Sequence, residues 1–192
     1  MKKESKLLLS KAIDSLVLSI ELFNRPSDMA RSESVLILLD HAFEMLLKAA
    51  ILHKGGRIRE PRAKETIGFD KCVRIAFSDA ERKFLSDTQV LTLQALNGLR
   101  DAAQHHLLDI SEQHLYIQAQ AGLTLFKDVY QNVFAGNLGT HIPERVLPIS
   151  LKAPVSIEVM FENEIEEVRR LLKPGRRHKT EATAKLRALA IL

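Results

Sequence analysis

The chain of 192 residues is poor in the residue types that cross-link or interrupt a polypeptide. It has one cysteine, no tryptophan, eight glycines and six prolines. A single cysteine excludes an intrachain disulfide framework and fits a reducing compartment, so we expect a cytoplasmic protein. The remaining segments are rich in Leu, Ala, Glu, Lys and Gln, which favour helix. These features predict an all-α protein.

Long apolar runs are also missing. No segment reaches the roughly 18 uncharged apolar residues that a membrane span needs, so we expect no membrane partner. The basic N-terminus lacks the apolar stretch of a signal peptide and is typical of an amphipathic helix. The composition, 46% hydrophobic and 27% charged, is ordinary for a folded domain. The net charge of +4 permits an anionic partner but does not establish one.

Apolar residues at helical spacing predict a bundle of four long helices and one short helix within residues 1–136. The predicted helices cover residues 4–24, 28–54, 69–77, 86–108 and 111–134. The second helix is apolar on nearly all sides, so it should lie at the centre of the bundle. Gly55 and Gly56 should end it.

The character of the chain changes after residue 136. Residues 137–156 contain three prolines, which predicts an extended linker or arm. Residues 157–192 have helical spacing and should form a helical C-terminal extension. The final helix has no stop signal, so we expect the protein to continue beyond residue 192.

The fourth helix carries an unusual polar stretch, "LRDAAQHH", at residues 99–106. On a helical wheel of about 100° per residue, one arc holds Asn97, Arg100, Asp101, Gln104 and His105. The opposite side holds Leu96, Leu99, Ala103 and Leu107, with His106 at the edge of that apolar face. Gly98 falls almost under His105, where it leaves room for a ligand or a second backbone.

These residue types suit phosphodiester cleavage. A histidine moves protons near neutral pH, and an arginine stabilises the charge that develops on a phosphate. Asp101 lies four residues before His105, so the two side chains can meet. Attack by an RNA 2′-hydroxyl needs no metal or other cofactor, so none is expected. The simpler interpretation of this arc is a solvated helix face.

Other histidines do not predict a metal site. His53, His105, His106 and His114 show no H-x-x-x-H spacing and have no cysteine partner.

Two further groups of polar residues have open interpretations. Glu44 and Lys48 lie one turn apart on the apolar second helix, where they can form an ion pair that fixes the bundle. Alternatively, Glu44 reaches Arg100 and positions it, with Lys48, Asn97 and Gln104 as further supporting residues. In the loop that follows, RNA phosphates could be bound by Lys54, Arg57, Arg59 and Arg62. Solvated loop charge explains these residues equally well.

The segment "RDAAQH" resembles the signature of the HEPN superfamily (higher eukaryotes and prokaryotes nucleotide-binding domain). That signature is an arginine, a polar residue, three further residues and a histidine, and Arg100, Asp101 and His105 occupy its fixed positions. The polar residue is more often Asn, and a second carboxylate near the phosphate would lower activity. The segment "DHAFEMLLKAAILHKGG" is similar to the central HEPN helix with its glycine turn. The resemblance covers roughly residues 5–136.

The resemblance implies an up-and-down helical bundle that forms a homodimer, with two motif helices facing each other across a shared cleft. It implies a metal-independent endoribonuclease, a toxin or phage-defence component that acts on RNA and is restrained by a partner protein or antitoxin. Arg100 would stabilise the phosphate, His105 would be the acid or base, and Asp101 would orient His105. The alternative is a catalytically inactive dimerisation or nucleic-acid-binding module of a larger defence or regulatory protein.

Overall fold

A computed structural model of the chain describes residues 1–105, 110–142, 165–166, 168–173, 182–183 and 186. That part is all-α. Its helices are α1 (Lys3–Phe23), α2 (Arg31–His53), α3 (Phe69–Ser78), α4 (Asp87–His105) and α5 (Glu112–Phe134), followed by a 3-10 turn at Leu138–Thr140. The predicted four long helices and one short helix are confirmed.

Local signals set the start of α5 and the end of α2 as the sequence predicts, whereas α2 begins at Arg31, three residues after the predicted start. The Ser111 hydroxyl accepts a hydrogen bond of 3.2 Å from the His114 N–H and caps α5. After α2, Gly55 has a φ of +80°, a left-handed conformation that favours glycine. The predicted end of the fourth helix at Leu108 lies outside the described residues.

Contacts at both ends of α1 show that it runs antiparallel to α2. The Ser5 hydroxyl donates to the Ala49 carbonyl at 2.9 Å, and the Ser19 hydroxyl donates to the Val35 carbonyl at 3.1 Å. The first bond joins the start of α1 to the end of α2, and the second joins the other two ends. The two helices therefore form a hairpin.

The other two long helices alternate in the same way. An ion pair between Arg31 and Glu112 joins the starts of α2 and α5, and the His53 and Phe134 rings lie 5.0 Å apart at their ends. Helix α5 therefore runs parallel to α2. Helix α4 runs the opposite way, because it starts beside α3 and places Leu99 near the start of α2. The result is an up-and-down bundle.

The two ends of this bundle are built from different segments. The clamp end holds the ends of α1 and α4, the starts of α2 and α5, and the Arg31–Glu112 pair. The basic end holds the start of α1, the loop 54–68, α3 and the start of α4.

Helix α2 is the centre of the bundle, as its apolar character predicts. Leu39, Phe43 and Leu46 are at most 2% exposed, and the Phe43 ring lies 5.8 Å from the Phe126 ring of α5. The helices approach closely at Gly122, where an added Cβ would lie 2.9 Å from the Leu39 side chain. A helix packed on all sides holds its polar residues at fixed positions.

Most of the predicted C-terminal regions lie outside the described residues. Of the predicted linker 137–156, only residues 137–142 are described, and of the predicted extension 157–192 the described residues are helical at 165–166, 168–171, 182–183 and 186. None of the helices in the described part has both the length and the apolar character needed to cross a membrane.

Candidate active site

A buried carboxylate, Asp40, joins α2 to α4. Its side chain accepts a hydrogen bond of 2.8 Å from the Asn97 amide and one of 3.0 Å from Arg100 Nε. Asp40 is only 5% exposed. Because a buried charge is stable only with partners, these two bonds fix α4 against α2 at this level of the bundle.

The environment of Asp40 disfavours its ionised form. Burial raises the pKa of its carboxyl above the ordinary value, and the negative charge of Glu44 adds to that increase. The Asn97 hydrogen bond and the positive charge of Arg100 lower the pKa, but they do not cancel the effect of burial. Keeping Asp40 ionised between Asn97 and Arg100 therefore costs free energy.

Arg100 is fixed on two sides. Its Nε atom donates to Asp40, while Nη1 lies 2.7 Å from the Asp101 carboxylate and 3.0 Å from the Gln104 side-chain oxygen. Within the described part of the chain, no group accepts from Nη2. The side chain remains 22% exposed. The guanidinium is thus positioned by protein groups and retains one nitrogen for an outside anion.

His105 is exposed and lies in the same polar arc of α4. Sequence spacing predicts that Asp101 orients it, but the structure instead pairs Asp101 with Arg100. No hydrogen bond joins Asp101 to His105 in the described residues. The reason is electrostatic: a neighbouring guanidinium attracts a carboxylate more strongly than an exposed imidazole does. His106 lies outside the described residues.

Glu44 does not hold Arg100. It pairs with Lys48, which is 4% exposed and also donates to the Thr66 hydroxyl at 2.8 Å. Helix α4 crosses α2 at Asp40, one turn before Glu44, so Arg100 meets Asp40 first. Glu44 acts on the cluster through its charge, and the ion-pair interpretation of Glu44 and Lys48 describes the geometry.

The exposed side of α4 forms a stripe with heptad spacing. The stripe consists of Leu91, Gln94, Gly98, Asp101 and His105, all exposed. A Cβ atom added at Gly98 would meet nothing within 4 Å. Spacings of three and four residues are those that allow two helices to pack along a seam.

The loop after α2 is anchored at two buried positions. The Ile67 N–H donates to the Ile58 carbonyl at 2.8 Å, and both side chains are buried. Of the predicted RNA-binding residues, Arg59 pairs with Glu4 at 2.6 Å. The others, Lys54, Arg57 and Arg62, are exposed and have no ion pair with the described residues. Arg59 is therefore partly neutralised, whereas its neighbours are not.

The described residues contain no group of three or more His, Cys, Asp or Glu side chains placed to hold a metal ion. The single cysteine, Cys72, is buried, and burial raises the pKa of its thiol to about 12.

Sequence reasoning missed the role of Asp40. It considered the polar residues of the apolar second helix but assigned partners only to Glu44 and Lys48. The signal was present, because a carboxylate on a helix that is apolar on nearly all sides requires a cation. The sequence could not show which arginine supplies it, since Asp40 and Arg100 are 60 residues apart.

The fold and this cluster define an all-α helical-bundle protein with a polar site between its central helix and α4. The chain belongs to the DUF3644 family: residues 7–177 match the family model described as "Domain of unknown function (DUF3644)". No functionally curated protein matches the chain. No solved structure matches it.

Proposed function

We propose that this protein is a metal-independent endoribonuclease of the HEPN type that acts as a homodimer. The observation that carries the proposal is the placement of Arg100. Its guanidinium is held by Asp40, its Nη2 atom has no partner among the described residues, and the exposed His105 lies in the same arc. A fixed cation and a solvent-accessible imidazole on the same helix are the groups that metal-free phosphodiester cleavage requires.

The proposed reaction is attack of an RNA 2′-hydroxyl on the adjacent phosphorus. A base removes the 2′-hydroxyl proton, the bond to the 5′-oxygen breaks, and an acid protonates that oxygen. The product is a 2′,3′-cyclic phosphate. Arg100 stabilises the charge that grows on the phosphate oxygens, and His105 transfers the proton.

A homodimer would complete this chemistry, because the reaction uses a base and an acid while each subunit offers one His105. The exposed heptad stripe of α4 supports the assembly. Leu91 is 47% exposed at one end of the stripe, and Gly98 lets a second backbone approach near its centre. Two copies of α4 packed about a two-fold axis would bring two sets of Arg100 and His105 together.

The same proposal includes the biological setting. A ribonuclease that needs no metal is active wherever RNA is present, so its activity requires control. We propose a cytoplasmic toxin or phage-defence component that a partner protein or antitoxin restrains.

The test is cleavage of single-stranded RNA in the presence of a chelator, with thermal melts of every variant. Arg100→Ala and His105→Ala should each reduce cleavage by about 10²- to 10⁴-fold, the usual contribution of such groups. His106→Ala is the matched control, and the helical wheel predicts near-normal cleavage per folded molecule with a loss of about 1 kcal/mol in stability. Equal cleavage by the unmodified protein and His105→Ala would refute the proposal.

One observation favours a second function, a catalytically inactive dimerisation or nucleic-acid-binding module. Arg100 is shared by two carboxylates, Asp40 and Asp101, so the cluster has no excess positive charge. A phosphate would have to compete with Asp101 for the guanidinium. Dimer formation and RNA binding without any cleavage would establish this second function.

A further inference from the structure

The charges of this protein are distributed unevenly between the two ends of the bundle. Residues 1–6 and 54–87, which build the basic end, contain 12 Lys and Arg against seven Asp and Glu. Residues 19–33, 97–105 and 110–116, which build the clamp end, contain three Lys and Arg against five Asp and Glu. The excess of positive charge therefore lies away from the candidate active site.

Ion pairs within the basic end leave a defined set of cations unused. Arg59 pairs with Glu4, Lys71 pairs with Glu60, and Arg82 pairs with Asp79. In residues 1–6 and 54–68, the exposed cations without an ion pair to the described part of the chain are Lys2, Lys3, Lys6, Lys54, Arg57, Arg62 and Lys64. The set comes from two segments that are distant in sequence.

The fold brings these two segments together. The Ser5 hydroxyl bonds to the Ala49 carbonyl near the end of α2, and the Arg59–Glu4 pair joins the loop to the first turn of α1. The lysines of α1 thus extend the cationic surface of the loop. Residues 1–6 and 54–68 contain no aromatic side chain for base stacking, so this surface suits a phosphate backbone and not specific bases.

The distance to the candidate active site follows from helix geometry. Asp40 lies 14 residues before Lys54, which directly follows α2, and at 1.5 Å per residue this separation is about 20 Å. Consecutive phosphates of an extended single strand lie roughly 6 Å apart, further than the roughly 3.4 Å rise per phosphate of a stacked duplex strand, so this separation corresponds to about four nucleotides. A ligand bound at both places must be at least that long.

We propose that one surface of the basic end, formed jointly by the first turns of α1 and the loop 54–68, is a docking surface for the RNA backbone, separate from the cleavage site. It selects RNA by length, because only a strand of about four nucleotides or more reaches both the surface and Arg100 of the same subunit. This inference rests on the proposed ribonuclease function for its substrate.

Binding is measured by fluorescence anisotropy with fully 2′-O-methylated RNA, which cannot be cleaved, as a 20-mer and a trimer. Two double variants each remove two cations of the surface: Lys3→Gln with Lys6→Gln, and Arg57→Gln with Arg62→Gln. The matched control, Lys11→Gln with Lys127→Gln, removes two exposed cations of the bundle sides. Melts confirm that all three variants fold.

Each surface variant should weaken 20-mer binding, and the slope of log K against log salt should fall by about 0.7 for each phosphate that is no longer neutralised. The control variant should leave that slope unchanged, and in the surface variants the KM for cleavage should rise for the 20-mer but not for the trimer. Surface variants that bind the 20-mer as the control does would overturn the proposal. So would charge-dependent binding to phosphatidylserine vesicles with no binding to RNA.

The design separates this proposal from the proposed function. Salt-sensitive 20-mer binding through these cations, with no cleavage of any RNA, would support the docking surface and refute the ribonuclease. Cleavage with a KM that is independent of RNA length and of the surface variants would support the ribonuclease and refute the docking surface.

Discussion

Two arginines that reach across the bundle, Arg31 and Arg100, show how differently one residue type is used. Arg31 is 7% exposed, donates to the Phe23 carbonyl at 2.8 Å and forms two hydrogen bonds with Glu112 at 2.6 and 2.7 Å. Its guanidinium also lies 4.9 Å from the centre of the Phe23 ring. All three guanidinium nitrogens of Arg31 are used inside the protein.

Arg100 differs from Arg31 in the use of its guanidinium nitrogens and in the pKa of its carboxylate partner. One of its nitrogens has no partner among the described residues, and its buried partner Asp40 has a raised pKa. By contrast, the Arg31 hydrogen bond lowers the pKa of Glu112. The Arg31 pair stabilises the fold, whereas the Arg100 cluster is maintained at a cost. Groups kept in an unfavourable environment are typical of functional sites, and this difference is consistent with the role proposed for Arg100 and with a structural role for Arg31.

The largest expected effect on stability comes from replacing Arg31, the arginine whose hydrogen bonds are all made within the protein. Arg31→Ala should lower the free energy of unfolding by about 3 kcal/mol, because it removes charged hydrogen bonds and leaves buried space. Cleavage per folded molecule should not change. Arg100→Ala should show the opposite pattern, with a large loss of cleavage and a smaller loss of stability. Urea denaturation paired with RNA cleavage measures both quantities, and similar profiles for the two variants would remove the distinction.

The pH dependence of stability should distinguish the two carboxylates, Glu112 and Asp40, because their pKa values are shifted in opposite directions. The pKa of Glu112 is lowered, so its stabilisation is complete above its unfolded pKa and is lost as pH falls through the folded value. The pKa of Asp40 is raised, so the destabilisation caused by ionising its buried carboxyl is absent at low pH and appears as pH rises through the folded value.

The variants Glu112→Gln and Asp40→Asn test these signs. The stability difference between the unmodified protein and Glu112→Gln should shrink as pH falls from about 7 to about 3. Its size should be only about 1 kcal/mol, because the Glu112 side chain is 63% exposed. The difference between the unmodified protein and Asp40→Asn should become less favourable as pH rises over the same range. Parallel pH profiles for the two variants would contradict the assignment.

The smallest expected effect concerns the open side of α4. Gly98→Ala should stabilise an isolated subunit by about 0.5–1 kcal/mol, because alanine is the better helix former and its Cβ would meet no neighbour. If α4 packs against a second copy, the same methyl group should weaken the dimer. Light scattering over a dilution series, together with melts, distinguishes the two effects. A stabilised variant with unchanged self-association would argue against α4 as the dimer face.

The sequence predicts the elements of this protein better than the contacts between them. Helix bounds follow from local periodicity and from capping residues such as Ser111 and Gly55, so they could be predicted to within a few residues. The division of α4 into a polar arc and an apolar side could be predicted for the same reason. These features depend on neighbours within a few residues along the chain.

The pairings within the site could not be predicted, because they depend on where helices cross. Arg100 and Asp40 are 60 residues apart, and Arg31 and Glu112 are 81 apart. The wheel shows that Arg100 and Asp101 share an arc, but not that Asp101 would turn to Arg100 and away from His105. That choice depends on the position of Arg100, which is set by the crossing of α2 and α4.

The hairpin of α1 and α2 has a consequence for protein synthesis. Its contacts are close in sequence, such as Ser19 with Val35, and such contacts form early in folding. During translation the N-terminal part emerges first, so Asp40 is in place before α4 has been made. Arg100 and His105 arrive later on one helix. A nascent chain that is still short of α4 therefore lacks both groups of the proposed cleavage site and cannot carry out the proposed reaction.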